Sequence, residues 1–143
     1  MRGFTLIEFL VVVVILGIIL GIGFSLFSKL RPDFNLSSAS QNLISDLNWA
    51  KSLSVEEQVE YGVKFFIEEN KYQIIKYNDI SQVISEKNLI ENINFEKIEG
   101  FSNNELRFNP YGTVRENGII TLINNRNNKT KTIEVRPSGF VKI

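Results

Sequence analysis

The hydrophobic pattern changes period twice along the chain. From Phe9 to Ser28, twenty residues carry no charge. A helix of that length spans about 30 Å, the thickness of a bilayer's hydrocarbon core. The run therefore predicts a transmembrane helix. The competing reading is a secretory signal, whose apolar core is about 7–15 residues and ends in a small-residue cleavage site. This run is longer and leads into Phe27-Ser28-Lys29-Leu30-Arg31-Pro32. Pro32 is expected to interrupt or kink the helix. Beyond it Leu36, Ala39, Leu43, Leu47, Ala50 and Leu53, with Ile44 beside them, recur at spacings of three and four. That is an amphipathic helix with one apolar stripe. Ser37, Ser38 and Ser40 are candidate N-caps for a restart, and Trp49 is expected in core or helix–sheet packing.

From Gln58 the period becomes two. Val59, Tyr61, Val63, Phe65 and Ile67 alternate with mostly polar neighbours, the mark of a half-buried strand. Residues 68–71 read as a turn and 72–77 as the return strand. Residues 78–91 are mixed and polar and are expected to form a loop. Further strands are expected around Ile93–Ile98, Leu106–Phe108, Gly118–Ile123 and Thr132–Arg136, with Asn124–Lys129 (NNRNNK) as a hairpin loop. Asn109-Pro110-Tyr111-Gly112-Thr113-Val114 is echoed 27 residues later by Arg136-Pro137-Ser138-Gly139-Phe140-Val141. Proline second and glycine fourth suit a tight turn, so two such turns are expected in one sheet. The fold class is α+β: a long N-terminal helix packed on an antiparallel sheet.

Composition narrows the chemistry. The 143 residues include no histidine and no cysteine. Histidine-based triads, thiolate metal sites and disulfides are excluded. The net charge is zero, but it is unevenly spread. Residues 56–99 hold ten acids and five bases, whereas 100–143 hold three acids and seven bases. The basic end is either a solvated surface or a face that meets a partner. Glu56, Glu57, Glu60, Glu68 and Glu69 are the only dense carboxylates, and a helix end and a turn account for them. No catalytic residue, metal site or cofactor is assigned.

Two features of the apolar segment remain. Gly17 and Gly21 form a Gly-x-x-x-Gly face that lets another helix approach closely, although glycine is also common in membrane helices. Glu8 stands at the mouth of the run, where a carboxylate carried inward costs roughly 2–3 kcal/mol. Cleavage after Gly3 would create an amine on Phe4, about one helical turn from Glu8. Glu8 could then pair with that amine in its own chain or in a neighbouring parallel helix.

Gly3-Phe4-Thr5-Leu6-Ile7-Glu8 followed by an apolar helix resembles the signal of type IV prepilins and type II secretion pseudopilins. The segment Leu43–Val63 around Trp49-Ala50-Lys51 resembles the pseudopilin H and fimbrial protein T (GspH/FimT) group, which often has Ala-Arg at Ala50-Lys51. So does the tail from Phe108-Asn109-Pro110-Tyr111-Gly112 through Gly118–Leu122 to Gly139-Phe140-Val141. The resemblance implies cleavage by prepilin peptidase between Gly3 and Phe4, N-methylation of Phe4, and Glu8 with Phe4 as the filament-assembly pair. It divides the chain into a leader (1–3), a transmembrane and assembly helix (4–28), an amphipathic continuation (29–57) and a sheet domain (58–143).

It also implies a minor, structural subunit that helps initiate or cap a pilus or pseudopilus and catalyses no reaction. Its place is the bacterial inner membrane, single-pass, with the C-terminal domain outside the cytoplasm, and then the filament. Its partners are other pilins or pseudopilins and, indirectly, a platform protein and an assembly ATPase. Two alternatives are a major pilin and a DNA-binding minor pilin for DNA uptake. Major pilins of this kind often carry a C-terminal disulfide, which this chain lacks. Some fimbrial T relatives bind DNA through a Gly-Arg-x-Arg tail; here Gly139-Phe140-Val141-Lys142-Ile143 keeps only Lys142. Nucleic acid would have to rely on Arg126, Lys129, Lys131, Arg136 and Lys142.

Overall fold

The computed structural model describes residues 5–143, with side chains for 5–21 and 33–143. Gly3 and Phe4 lie outside the described residues. One helix, α1, spans Leu6–Glu56. The expectation that Pro32 interrupts the helix is corrected, because the helix continues through it. Proline costs a helix interior about 3 kcal/mol through a lost hydrogen bond and a ring clash, and the buried stripe that follows offsets this and holds the chain helical. Ser37, Ser38 and Ser40 therefore cap nothing. The Ser40 hydroxyl instead donates back to the Leu36 carbonyl at 2.8 Å.

The chain divides into two compact units, Met1–Pro32 and Asp33–Ile143. In the first, the side chains from Leu6 to Leu20 are exposed all round, Leu6 at 82% and Val12, the least exposed of the large ones, at 46%. Among the described residues no helix is long and apolar enough to cross a membrane. The remainder of the expected span, residues 22–28, lies outside the described side chains.

In the second unit, α1 buries Leu36, Ala39, Leu43, Leu47 and Ala50 in a common core with strand residues. The strands are β1 (Glu60–Phe66), β2 (Lys71–Tyr77), β3 (Gln82–Asn88), β4 (Ile93–Glu99), β5 (Glu105–Phe108), β6 (Gly118–Asn124), β7 (Lys129–Val135) and β8 (Val141–Lys142). They form not one sheet but two antiparallel four-stranded sheets, ordered β3-β2-β1-β5 and β4-β6-β7-β8. Phe65 of the first sheet meets Phe95 of the second edge-to-face, ring centroids 5.6 Å apart, so aromatic packing joins the sheets within one core.

Two further expectations are corrected. Residues 82–88 are a strand, not a loop. β3 is an edge strand with six of its seven residues exposed, so it carries no period-two pattern to read. Trp49 is 42% exposed, because it lies beside the Leu43–Leu47–Ala50 stripe rather than on it.

The Pro-x-Gly-x-Val echo is a structural repeat. Gly112 N–H donates to the Asn109 carbonyl at 2.9 Å and Gly139 N–H to Arg136 at 2.8 Å. Asn109 N–H donates to Thr113 and Arg136 N–H to Phe140, each at 2.9 Å. Val114 then pairs with Phe108, and Val141 with Val135. The two turns belong to different sheets, against expectation, and touch across them: Val114 N–H donates to the Pro137 carbonyl at 3.1 Å. Gly112 and Gly139 have φ of +75° and +70°, the left-handed region that glycine enters without a steric penalty.

Candidate functional site

The first turn of α1 begins with a reciprocal cap. Glu8 Oε2 accepts from the Thr5 backbone N–H at 2.9 Å and from the Thr5 hydroxyl at 2.8 Å. Glu8 N–H points back to Thr5 Oγ1 at 3.4 Å. Thr5-Leu6-Ile7-Glu8 is thus a capping box, in which a threonine and a glutamate three residues on satisfy orphan N–H groups of the first turn. The spacing was open to view in the sequence. Glu8 therefore has two uses: it caps its own helix here, and it is the carboxylate expected to meet a Phe4 amine. Farther along, an added Cβ at Gly17 or Gly21 would meet nothing within 4 Å, so that face is uncovered by the described chain.

The basic residues do not form one face. Lys129 Nζ pairs with Asp33 at 2.6 Å, and Asn127 donates to the same carboxylate at 2.7 Å. The Lys129 hydrogen bond is the largest of the influences holding the Asp33 carboxyl below its usual value. Lys131 reaches the Ser37 hydroxyl at 3.1 Å. These contacts set the β6–β7 hairpin, with Arg126 at its tip, against the start of α1 in this unit. Arg136 and Lys142 instead share Glu134, each at 3.3 Å. Four of the five cations considered for nucleic acid are thus engaged within the chain.

The dense carboxylates are dispersed as well. Glu57 pairs with Lys76 and accepts from the Tyr61 hydroxyl at 2.8 Å. Glu60 pairs with Arg115 at 2.5 Å, and Glu69 with Lys71 at 2.6 Å. One buried acid, Asp46, was not singled out from sequence. It accepts from the Tyr72 hydroxyl at 2.5 Å and from Lys87 at 2.7 Å. Burial, with Asp46 as hydrogen-bond partner, pushes the Tyr72 hydroxyl well above its ordinary pKa. Asp46 lines a groove of about 330 Å³ with Asn42, Ser45 and Asn88. Both of its oxygens are engaged, which ties α1 to β2 and β3. Among the described residues no group of three or more acids could hold a metal ion.

Comparison with known proteins agrees with this geometry at both ends. Residues 1–26 match the prokaryotic N-terminal methylation motif. No curated protein matches the sequence. In structure, the chain is similar to the minor pseudopilin EpsH from the type 2 secretion system of Vibrio cholerae, at TM-score 0.65 and 11% identity. That match covers 76% of this chain and 94% of EpsH. It is also similar to the type IV minor pilin FimU of Pseudomonas aeruginosa, at TM-score 0.63 and 15% identity, over 76% of this chain and 87% of FimU. The chain joins a prokaryotic N-terminal methylation motif to the α+β fold of minor pilins and pseudopilins.

Proposed function

We propose that the protein is a minor type IV pilin or type II secretion pseudopilin, a structural subunit that helps initiate or cap a filament. The observation that carries this reading is the conjunction of the methylation motif at residues 1–26 with a minor-pilin fold over 76% of the chain. Either alone would be weaker, since a fold hosts many functions. Prepilin peptidase cuts after Gly3 and methylates Phe4. The segment 4–28 sits in the inner membrane, with the sheet unit outside the cytoplasm. The uncovered side chains from Leu6 to Leu20 support this, because so much exposed apolar surface needs lipid or other helices around it.

In assembly, Glu8 exchanges its Thr5 cap for the Phe4 amine of a neighbour. The exchange neutralises two charges in an apolar setting and fixes the axial offset between subunits. Gly17 and Gly21 let neighbouring helices approach. The subunit itself performs no reaction, and the platform protein and assembly ATPase act on it from outside. Nucleic-acid binding is not favoured, because Lys129, Lys131, Arg136 and Lys142 are spent on Asp33, Ser37 and Glu134.

The test is incorporation. Filaments sheared from cells that express the chain should contain it at low stoichiometry, and its deletion should reduce filament number. Filaments of unchanged number that lack the chain would refute the reading.

A further inference from the structure

Within the sheet-bearing unit, α1 buries one side and leaves the other uncovered. Leu43, Leu47 and Ala50 face the core. The opposite side carries Ser38, Gln41, Ser45, Asn48, Ser52 and Val55 at alternating spacings of three and four, the spacing of a helix–helix seam. Eight residues of α1 between positions 34 and 55 are exposed, and none of them is charged. From position 57 onward 38 residues are exposed, and fifteen are charged. Contact with water alone gives no reason for that difference. Lys, Arg and Glu are better helix formers than Ser and Asn, and opposite charges four apart would stabilise an exposed helix. Depletion of charge beside an exposed aromatic is instead the composition of an interface centre. Trp49, 42% exposed, flanks the seam.

The chemistry of the seam selects its occupant. The side chains of Gln41, Asn42 and Asn48 have no hydrogen bond among the described residues, and each amide both donates and accepts. The Ser52 hydroxyl turns back to the Asn48 carbonyl at 2.9 Å and keeps its acceptor lone pairs. A different partner could be matched by opposite charges. In a parallel, in-register pair of identical helices, every seam residue faces its own copy. A charge at any position would then meet a like charge, whereas amide against amide and hydroxyl against hydroxyl fill both roles. Polar residues in such a seam also fix its register. Flanking positions five apart meet across the pair, so Trp49 of one copy covers the partly buried Ile44 of the other.

We infer that two copies of the precursor pair, parallel and in register, through the exposed face of α1 between Ser38 and Val55. The same surface serves both copies, as a two-fold interface requires. Polar contacts of this kind bind weakly in solution, and a common membrane supplies the effective concentration that holds the pair together. The parallel direction and the tether rest on the membrane reading proposed above.

The test is oxidative crosslinking of the full chain in alkaline-washed membranes of cells that express it. Since the chain has no cysteine, each variant carries one thiol. Ser38→Cys, Ser45→Cys and Ser52→Cys place it on the seam, and Ser81→Cys places it on the exposed link between β2 and β3. A disulfide forms only where two Cα atoms come within about 7 Å. Each seam variant should therefore trap a dimer of its own mass, and Ser81→Cys should not. Asn48 is exposed, so Asn48→Glu leaves the core of each copy intact while setting two carboxylates face to face. Added to Ser45→Cys, it should cut the dimer at least about tenfold, and Asn48→Gln should keep it.

If the chain stays in the washed membranes but Ser45→Cys traps no more dimer than Ser81→Cys, the pair is overturned and the membrane reading stands. If the chain is absent from those membranes, both fail. Crosslinks that form only between Ser38→Cys and Ser52→Cys would show antiparallel helices and overturn the parallel pair. A crosslink from Ser45→Cys to a protein of another mass, with no dimer, would overturn it too and assign the seam to a different subunit.

Discussion

Lys51 Nζ, on the helix, donates to the Gly139 carbonyl at 3.1 Å, across 88 residues of sequence. The Ser138 carbonyl lies 3.4 Å from the same nitrogen. An added Cβ on Gly112, in the first turn, would lie 3.2 Å from Lys51 Cε. One lysine therefore ties the second turn to the end of α1, with its stem lying beside the first turn. Gln58 assists by donating to Val55 and Pro110 carbonyls at 2.7 and 3.3 Å.

Lys51→Met keeps the aliphatic stem and removes the charged donor. Leaving the turn-two carbonyls without that partner costs about 1–2 kcal/mol. Thermal unfolding of the detergent-solubilised chain should show the loss. Lys51→Arg should recover most of it, because the donor is restored.

Gly139→Ala should destabilise more than Lys51→Met. The new Cβ would lie 2.1 Å from the Gly112 carbonyl oxygen, on a residue with φ of +70°. Left-handed strain alone costs roughly 1–2 kcal/mol, and the overlap must be relieved by moving the other turn. Hydrogen exchange should report the damage first at β8 and at Val114, whose N–H bonds cross the turn contact.

Three tyrosines set the alkaline limit of stability. Burial, then a bond to Glu57, pushes the Tyr61 hydroxyl up to about 12. Burial, then Glu105, pushes Tyr77 up to about 12 as well, and Tyr72 shifts in the same direction. A raised folded-state value favours the protonated form in the native state. The corresponding stability is complete below the unfolded value near 10 and is lost as pH rises toward 12. Unfolding should therefore steepen between pH 10 and about 12, with tyrosinate absorbance rising in step. Tyr61→Phe should weaken that dependence.

Glu8→Gln separates the two roles of the carboxylate. Glutamine at this position of a capping box still accepts from Thr5, so helicity of the first turn should change little. It cannot neutralise an amine, so incorporation into filaments should fall at least about tenfold if a charge pair of more than about 1.4 kcal/mol is lost. Thr5→Val should do the reverse, fraying the first turn by about 1 kcal/mol while the carboxylate remains. Circular dichroism and filament assays on the two variants distinguish them.

The parts of this fold with a buried face could be read from sequence. The stripe Leu36–Leu47 and the alternation Tyr61–Phe65 each announce a helix face or a strand because water is excluded on one side only. β3 could not be read that way, since neither of its faces is covered. The division into two sheets depends on long-range pairing, β1 with β5 and β4 with β6, that no local pattern encodes. The turn repeat was visible as Pro-x-Gly-x-Val, but not its cross-sheet contact, in which Val114 N–H donates to the Pro137 carbonyl. At the N-terminus the Thr5–Glu8 spacing was plain, and its capping role was hidden behind the expected docking role of Glu8.

The most direct measurement is the intact mass of the chain in the membrane fraction, with and without prepilin peptidase. The account predicts loss of Met1-Arg2-Gly3 and gain of one methyl group on Phe4, only when the peptidase is present. An uncut chain in both samples would contradict it, and would leave Glu8 as a helix cap with no amine to meet.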